Sequence, residues 1–327
     1  MYFTHSNKVL DKIEAAVLKR YSQLIKESGA FGGIKVIGIT GSVGKGEKRI
    51  VESLCNDIDF FIIADSCVIK KKKRIESGLR KISKTKFTDI LFLRTLTFRY
   101  QIRKKRVDQY IFDLLKGSLI LDSAPDFKRL FSEARNKKYE ISSRSAAVVL
   151  LTRLWGLTGP YKADGGKILP LDFSLTSYQM KKALSAIVDA VLIFERLYSD
   201  PLTKAKIKNF RQTKFYLNNK KDFDFLLDVY AQEEKKDFEA TYRRLVDIYL
   251  AALKYVYKKE INTIFDYPVR KTLLLSLVRS DERKRIALDI QRYKALKLIA
   301  AFYSSGDHSI ADKLSYLFKT IFQTGML

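Results

Sequence analysis

Residues 34–64 read IKVIGITGSVGKGEKRIVESLCNDIDFFIIA, and the fold turns on this stretch. Ile34 to Thr40 is a nearly continuous apolar run of strand length, the pattern of a strand covered on both faces. It ends at Gly41-Ser42, residues suited to a tight turn because glycine permits positive φ and serine bonds its own backbone. Fourteen residues separate Ser42 from Asp57, and Ile58 to Ala64 is a second apolar run that reads as the neighbouring strand. Side chains at i and i+2 of a strand leave the same face, so Asp57 and Asp59 are expected together at that strand's start, with Ile58 entering the core. Two carboxylates make a poor core and a good cation site. Magnesium takes oxygen ligands, commonly one or two carboxylates plus substrate phosphates.

A third acid, Asp89, heads the apolar run Thr88-Asp89-Ile90-Leu91-Phe92-Leu93. Three carboxylates from adjacent strands can hold two metals about 3.5–4 Å apart, the clamp used in phosphoryl transfer. Asp108 is the rival for the third place. It follows Arg103-Lys104-Lys105-Arg106 and reads as a helix start, so Asp89 is preferred. In this order, Gly-Ser, Asp-x-Asp and one more acid on the next strand, the chain resembles the minimal nucleotidyltransferases of the DNA polymerase beta superfamily. The stretch Gly41-Ser42-Val43-Gly44-Lys45-Gly46-Glu47 is similar to that group's Gly-Ser loop, and Phe112 to Leu121 to its last helix and strand. The spacer from Ser42 to Asp57 is longer than is common there, which reads as an exposed loop around Lys48 to Ser53. The resemblance covers roughly residues 30 to 125.

The resemblance implies a small mixed β-sheet nucleotidyltransferase domain with flanking helices over 1–135; the helical periodicity of the remainder adds an all-α helical bundle over 136–327, so the fold expected for the whole chain is α+β. The resemblance also implies Asp57, Asp59 and Asp89 as catalytic residues and ligands of two Mg2+ ions, with Mn2+ as a substitute. Gly41, Ser42 and Lys45 become the nucleotide-binding residues. The expected reaction moves a nucleoside monophosphate from a nucleoside triphosphate, ATP first among them, to a hydroxyl on a small molecule, glycan intermediate, protein or RNA end. The acceptor is expected in a cleft between the two domains.

Composition bounds these expectations. The 327 residues suffice for two domains, and 46% apolar content argues against disorder. Met1 to Lys12 carries charged and polar residues where a signal peptide needs an apolar stretch. Ala146 to Leu151 and Ala183 to Phe194 are too short or, at Asp189, interrupted for a membrane span. Cys55 and Cys67 offer neither a disulfide framework nor zinc spacing, and the whole suits a cytoplasmic protein. A helical ribonuclease partner domain, whose arginine and histidine stand a few residues apart, is disfavoured, because the only histidines are His5 and His308 and neither has an arginine shortly before it. Against 36 Asp and Glu stand 62 Lys and Arg, a formal net charge of +26. That excess attracts polyanions without naming one. A non-catalytic or weakly catalytic protein that holds nucleic acid or an anionic membrane surface is therefore the competing reading. The densest runs are Lys70 to Arg74, on an expected helix from Val68 to Lys84, and Arg103 to Arg106.

After Tyr139 helical periodicity takes over. Met180, Leu184, Ile187, Val191, Phe194 and Tyr198 form one stripe, and Phe238, Tyr242, Leu245, Tyr249, Ala252 and Val256 another; both read as helix-to-helix core. Further helices are expected at Glu282 to Tyr303 and Ile310 to Phe322. Gly156 to Pro170 and Lys214 to Lys221, rich in Gly, Pro, Lys and Asn, read as loops.

Overall fold

The computed structural model describes residues 8–27, 33–47, 57–83, 87–164, 167–231, 238–257, 280–305, 307 and 309–325. The loop expected at Lys48 to Ser53, Cys55 and both histidines lie outside these residues. The fold is mixed α+β. Its contacts divide the chain into two units: residues 1–142 with 199–205, and residues 143–198 with 206–327.

In the first unit the strands are β1 (Ile34–Thr40), β2 (Asp57–Ala64), β3 (Phe87–Arg94), β4 (Arg106–Val107), β5 (Leu119–Ser123) and β6 (Glu140–Ile141). The main sheet has the order β3-β2-β1-β5, with β1 antiparallel to both β2 and β5, and β2 parallel to β3. A parallel pair needs a crossover, here supplied by helices between β2 and β3. β1 sits inside the sheet, which accounts for its nearly continuous apolar run: Val36, Ile37 and Ile39 are buried. Gly38 in its middle is required by close approach. A Cβ there would come within 2.3 Å of the Phe61 ring and 2.4 Å of the Leu119 carbonyl oxygen.

The two faces of the sheet carry different helices. Leu18, Tyr21 and Ile25 of α1 (Lys8–Glu27) join Ile75 and Leu79 of a later helix over Ile37, Ile39, Ile58, Phe60 and Ile62. The opposite face carries Phe61, whose ring stacks on Phe131 at 6.0 Å, with Phe98 on the far side of Phe131 at 5.7 Å. These phenylalanines belong to α5 (Thr95–Arg103) and α7 (Pro125–Asn136), which follow the single-turn α2 (Gly41–Gly44), α3 (Ser66–Ile69), α4 (Lys72–Ser83) and α6 (Gln109–Lys116). The single helix expected from Val68 is thus two, α3 and α4. Lys71 N–H to Val68 O (2.9 Å) and Arg74 N–H to Lys71 O (3.0 Å) span three residues and tighten the turn between them. Five consecutive cations repel at helical spacing, which favours such an opening.

The second unit is helical: α8 (Ser143–Arg153), α9 (Trp155–Thr158), α10 (Phe173–Phe194), α11 (Thr203–Phe210), whose first turn belongs to the first unit, α12 (Lys214–Asn218), α13 (Lys220–Ala231), α14 (Phe238–Tyr257), α15 (Ser280–Ser305) and α16 (Ser309–Gly325). The expected stripes are buried along α10, Tyr198 just beyond it, and α14, apart from the half-buried Phe194 at the α10 end and Phe238 at the α14 start. The unit is not all-α, however, and one expected loop is not a loop. Within Gly156 to Pro170 lie α9 and a hairpin of β7 (Tyr161–Asp164) and β8 (Lys167–Pro170). Tyr161 and Ile168 hold it down. Tyr161 is buried with its ring 4.5 Å from Tyr242, and its hydroxyl donates to Gly156 O. The stretch Lys214 to Lys221 is likewise α12 and the start of α13, because Thr213 caps Tyr216 N–H and Phe215 and Tyr216 are buried. No helix among the described residues is long and apolar enough to cross a membrane.

Candidate metal and nucleotide site

The site is built where β1 ends. Thr40 is the register partner of Asp59, and the chain then turns through Gly41 at φ +66. Glycine adopts that left-handed backbone without the steric cost other residues meet. It is needed for a second reason. A Cβ on Gly41 would lie 1.9 Å from Asp59 Oδ2 and 2.9 Å from Cγ, so the carboxylate rests directly against the glycine α-carbon.

Asp59 is in turn the register partner of Asp89 across the parallel pair β2–β3. Neighbours in register point the same way, and adjacent strands lie about 4.8 Å apart. Asp59 is half-buried and Asp89 exposed, on the sheet face opposite Ile58, Phe60 and Ile62. Asp57 opens β2 two residues before Asp59, paired in backbone register with Phe87, and its side chain lies outside the described residues. Among the described residues no group of three His, Cys, Asp or Glu is gathered to hold a metal ion. The described donor set is therefore a carboxylate pair, and oxygen donors of this kind suit Mg2+ or Mn2+.

Asp108 has other work. It occupies the cap position of α6, and its Oδ2 accepts from Gln101 Nε2 at 2.9 Å. Asp65 likewise sits at the start of α3, but its carboxylate faces Lys35 Nζ at 3.6 Å and caps no backbone N–H.

Ser42, half-buried, is the second residue of the turn. The loop closes on itself through Lys45 N–H to Gly41 O (3.1 Å), Gly46 N–H to Val43 O (3.0 Å) and Glu47 N–H to Ser42 O (2.8 Å). Lys45 lays its stem on Gly117: a Cβ there would meet Lys45 Cγ at 2.8 Å and Pro201 Cγ at 3.2 Å. The Glu47 carboxylate accepts the N–H of Thr203, the first residue of α11. Gly117, Pro201 and Thr203 thus brace the turn. Sequence reading placed Gly117 in the stretch Phe112 to Leu121 without this role and missed Pro201 and Thr203, since Thr203 lies 156 positions from Glu47 and neither has local periodicity to mark it.

Of the two basic runs, the one before α6 is spent locally. Lys105 and Arg106 both reach Glu140, at 3.1 and 3.0 Å, and hold its carboxyl below the ordinary carboxylate range. Lys104 lies 3.9 Å over the Tyr100 ring. No protein-family model matches this chain, and no curated protein sequence is significantly similar to it.

Proposed function

We infer that the first unit is a metal-dependent nucleotidyltransferase module that moves a nucleoside monophosphate from a nucleoside triphosphate to a hydroxyl acceptor. One observation carries this reading: the Asp59 carboxylate is seated on the α-carbon of Gly41 while Asp89 stands beside it in strand register. A phosphate-holding turn and a carboxylate pair thereby share one corner of the sheet. Asp57, on the same strand, is the third carboxylate in this reading.

The divalent ions, held by Asp59, Asp89 and Asp57, would supply charge neutralisation at the phosphates and acidify a coordinated hydroxyl. The chain's own groups do the rest. Ser42 and the turn backbone orient the outer phosphates. Asp89, open to solvent, receives the acceptor's proton as the acceptor oxygen bonds to the α-phosphorus and the bond to the β-phosphate oxygen breaks, releasing pyrophosphate. Asp59, its carboxylate lying against the Gly41 α-carbon, presents its oxygens beside the turn.

The test is incubation with each α-labelled nucleoside triphosphate, ATP first, with Mg2+ or Mn2+ and a cell extract as acceptor source. Asp59→Asn is expected to lower label transfer at least about a hundredfold, roughly 2.7 kcal/mol in the barrier, with an unchanged thermal unfolding midpoint. Full-rate transfer by the Asp59→Asn, Asp89→Asn double variant overturns the assignment.

A further inference from the structure

We propose that the outer surface of α1 and α4 is a docking face for the phosphate backbone of a nucleic-acid duplex. It lies away from the candidate site and stands whatever reaction occurs there. From residue 70 to residue 81 the chain carries Lys70 to Arg74, Arg80 and Lys81 against a single carboxylate, Glu76. Ile75 and Leu79 turn into the core, and at 100° per residue Lys73, Ser77 and Arg80 fall on the opposite, outward side. α4 has 12 residues and is about 18 Å long. The adjacent α1 adds exposed Lys12, Lys19 and Arg20, because its own apolar side, Leu18, Tyr21 and Ile25, is spent on the same core.

Several of these cations stay unpaired among the described residues. Glu76 pairs with Lys72 at 3.5 Å, while Lys70, Lys71, Lys73, Arg74 and Lys81 make no ion pair among the described residues. An open depression lined by Lys73, Glu76, Ser77, Arg80 and Lys81 runs along the helix. The contrast with the run at Arg103 to Arg106, drawn onto Glu140 and Tyr100, is direct.

The partner follows from what the face lacks. A helix that lies on a bilayer pairs its cations with exposed apolar anchors, and no large apolar side chain is exposed on the described parts of α1, α3 or α4. Single strands are gripped by stacking on aromatic rings, and the described residues of α1, α3 and α4 expose none: Tyr21 is buried, and Phe92 of β3 is half-buried with Lys72 Nζ 5.5 Å over its ring. Cations without anchors or platforms suit the regular phosphates of a duplex, where positively charged side chains supply affinity and no sequence preference.

The experiment uses the full chain and measures anisotropy of labelled RNA and DNA duplexes and of the matching single strands. Vesicles of phosphatidylserine and phosphatidylcholine form a separate arm, read by co-sedimentation. The Lys73→Gln, Arg80→Gln, Lys81→Gln variant is compared with Lys128→Gln, Lys137→Gln, Lys138→Gln, which removes the same charge from α7 and the residues just after it. The α4 variant is expected to bind duplex at least about tenfold more weakly at 0.15 M salt, with the slope of log K against log salt reduced by nearly three, about 0.9 per contact. The α7 variant stays within about threefold of the parent chain. Equal losses in both variants, preference for single strands, or vesicle binding that excludes duplex would each overturn the proposal; the RNA and DNA arms identify which duplex is bound.

Discussion

Gly41 answers two demands at once, a left-handed backbone and room for a carboxylate, and each has its own cost when violated. A non-glycine residue held at positive φ costs about 1–2 kcal/mol. The 1.9 Å approach of Asp59 Oδ2 adds a displacement that a methyl group forces. Gly41→Ala is therefore expected to lower unfolding free energy by about 2–3 kcal/mol, measured by urea denaturation, and to lower label transfer through misplacement of Asp59. Adding Asp59→Ala removes the clash but not the backbone strain. The double variant should then be less destabilised than the sum of its parts, and strict additivity would mean that the two residues do not touch. Nothing in composition distinguishes Gly41 from the other glycines. Its place after an apolar run marked a turn, whereas the carboxylate against its α-carbon follows from the register of β1 with β2.

Elements in this chain are often closed by side chains from far away. Glu195, one residue beyond α10, accepts the backbone N–H groups of Lys214 and Phe215 at 3.1 and 3.2 Å, and so satisfies the start of α12. The same carboxylate accepts from the Tyr255 hydroxyl at 2.9 Å. Burial and then this carboxylate push Tyr255 up to about 12 from an ordinary 10.0. Because the folded-state pKa exceeds that of the unfolded chain, ionisation opposes folding: the contribution is complete below pH 10 and is lost as pH rises through about 12. Phenolate difference absorbance should show a tyrosine class titrating near that value, and Tyr255→Phe should remove one member of it. Glu195→Gln should bring Tyr255 closer to its ordinary value and weaken the start of α12, costing about 1–2 kcal/mol in urea unfolding. The loop read at Lys214 to Lys221 failed for this reason: its helix has only five residues, and beside its Thr213 cap it takes two N–H partners from the distant Glu195.

Across the whole molecule the net charge of +26 sets a repulsion that every fold contact must overcome. Screening lengths fall from about 30 Å at 0.01 M salt to about 3 Å at 1 M. The thermal midpoint is therefore expected to rise by several degrees with added sodium chloride over that range, and a midpoint that falls instead would show that attractive ion pairs dominate. The sequence by itself determined the strands from Ile34, Ile58 and Thr88, the alternation that buries Ile58 beside Asp59, and the apolar stripes of α10 and α14, because burial imposes periods of two and 3.6 on any chain that packs. Only the tertiary structure decided that Asp59 faces Asp89 in register, that Glu47 reaches Thr203, that Tyr161 turns a Gly- and Pro-rich stretch into a hairpin, and that Lys73, Arg74 and Lys81 of α4 make no ion pair among the described residues while the cations near Arg106 close on Glu140. Those outcomes depend on which distant residue arrives opposite, and a local pattern holds no record of its partner.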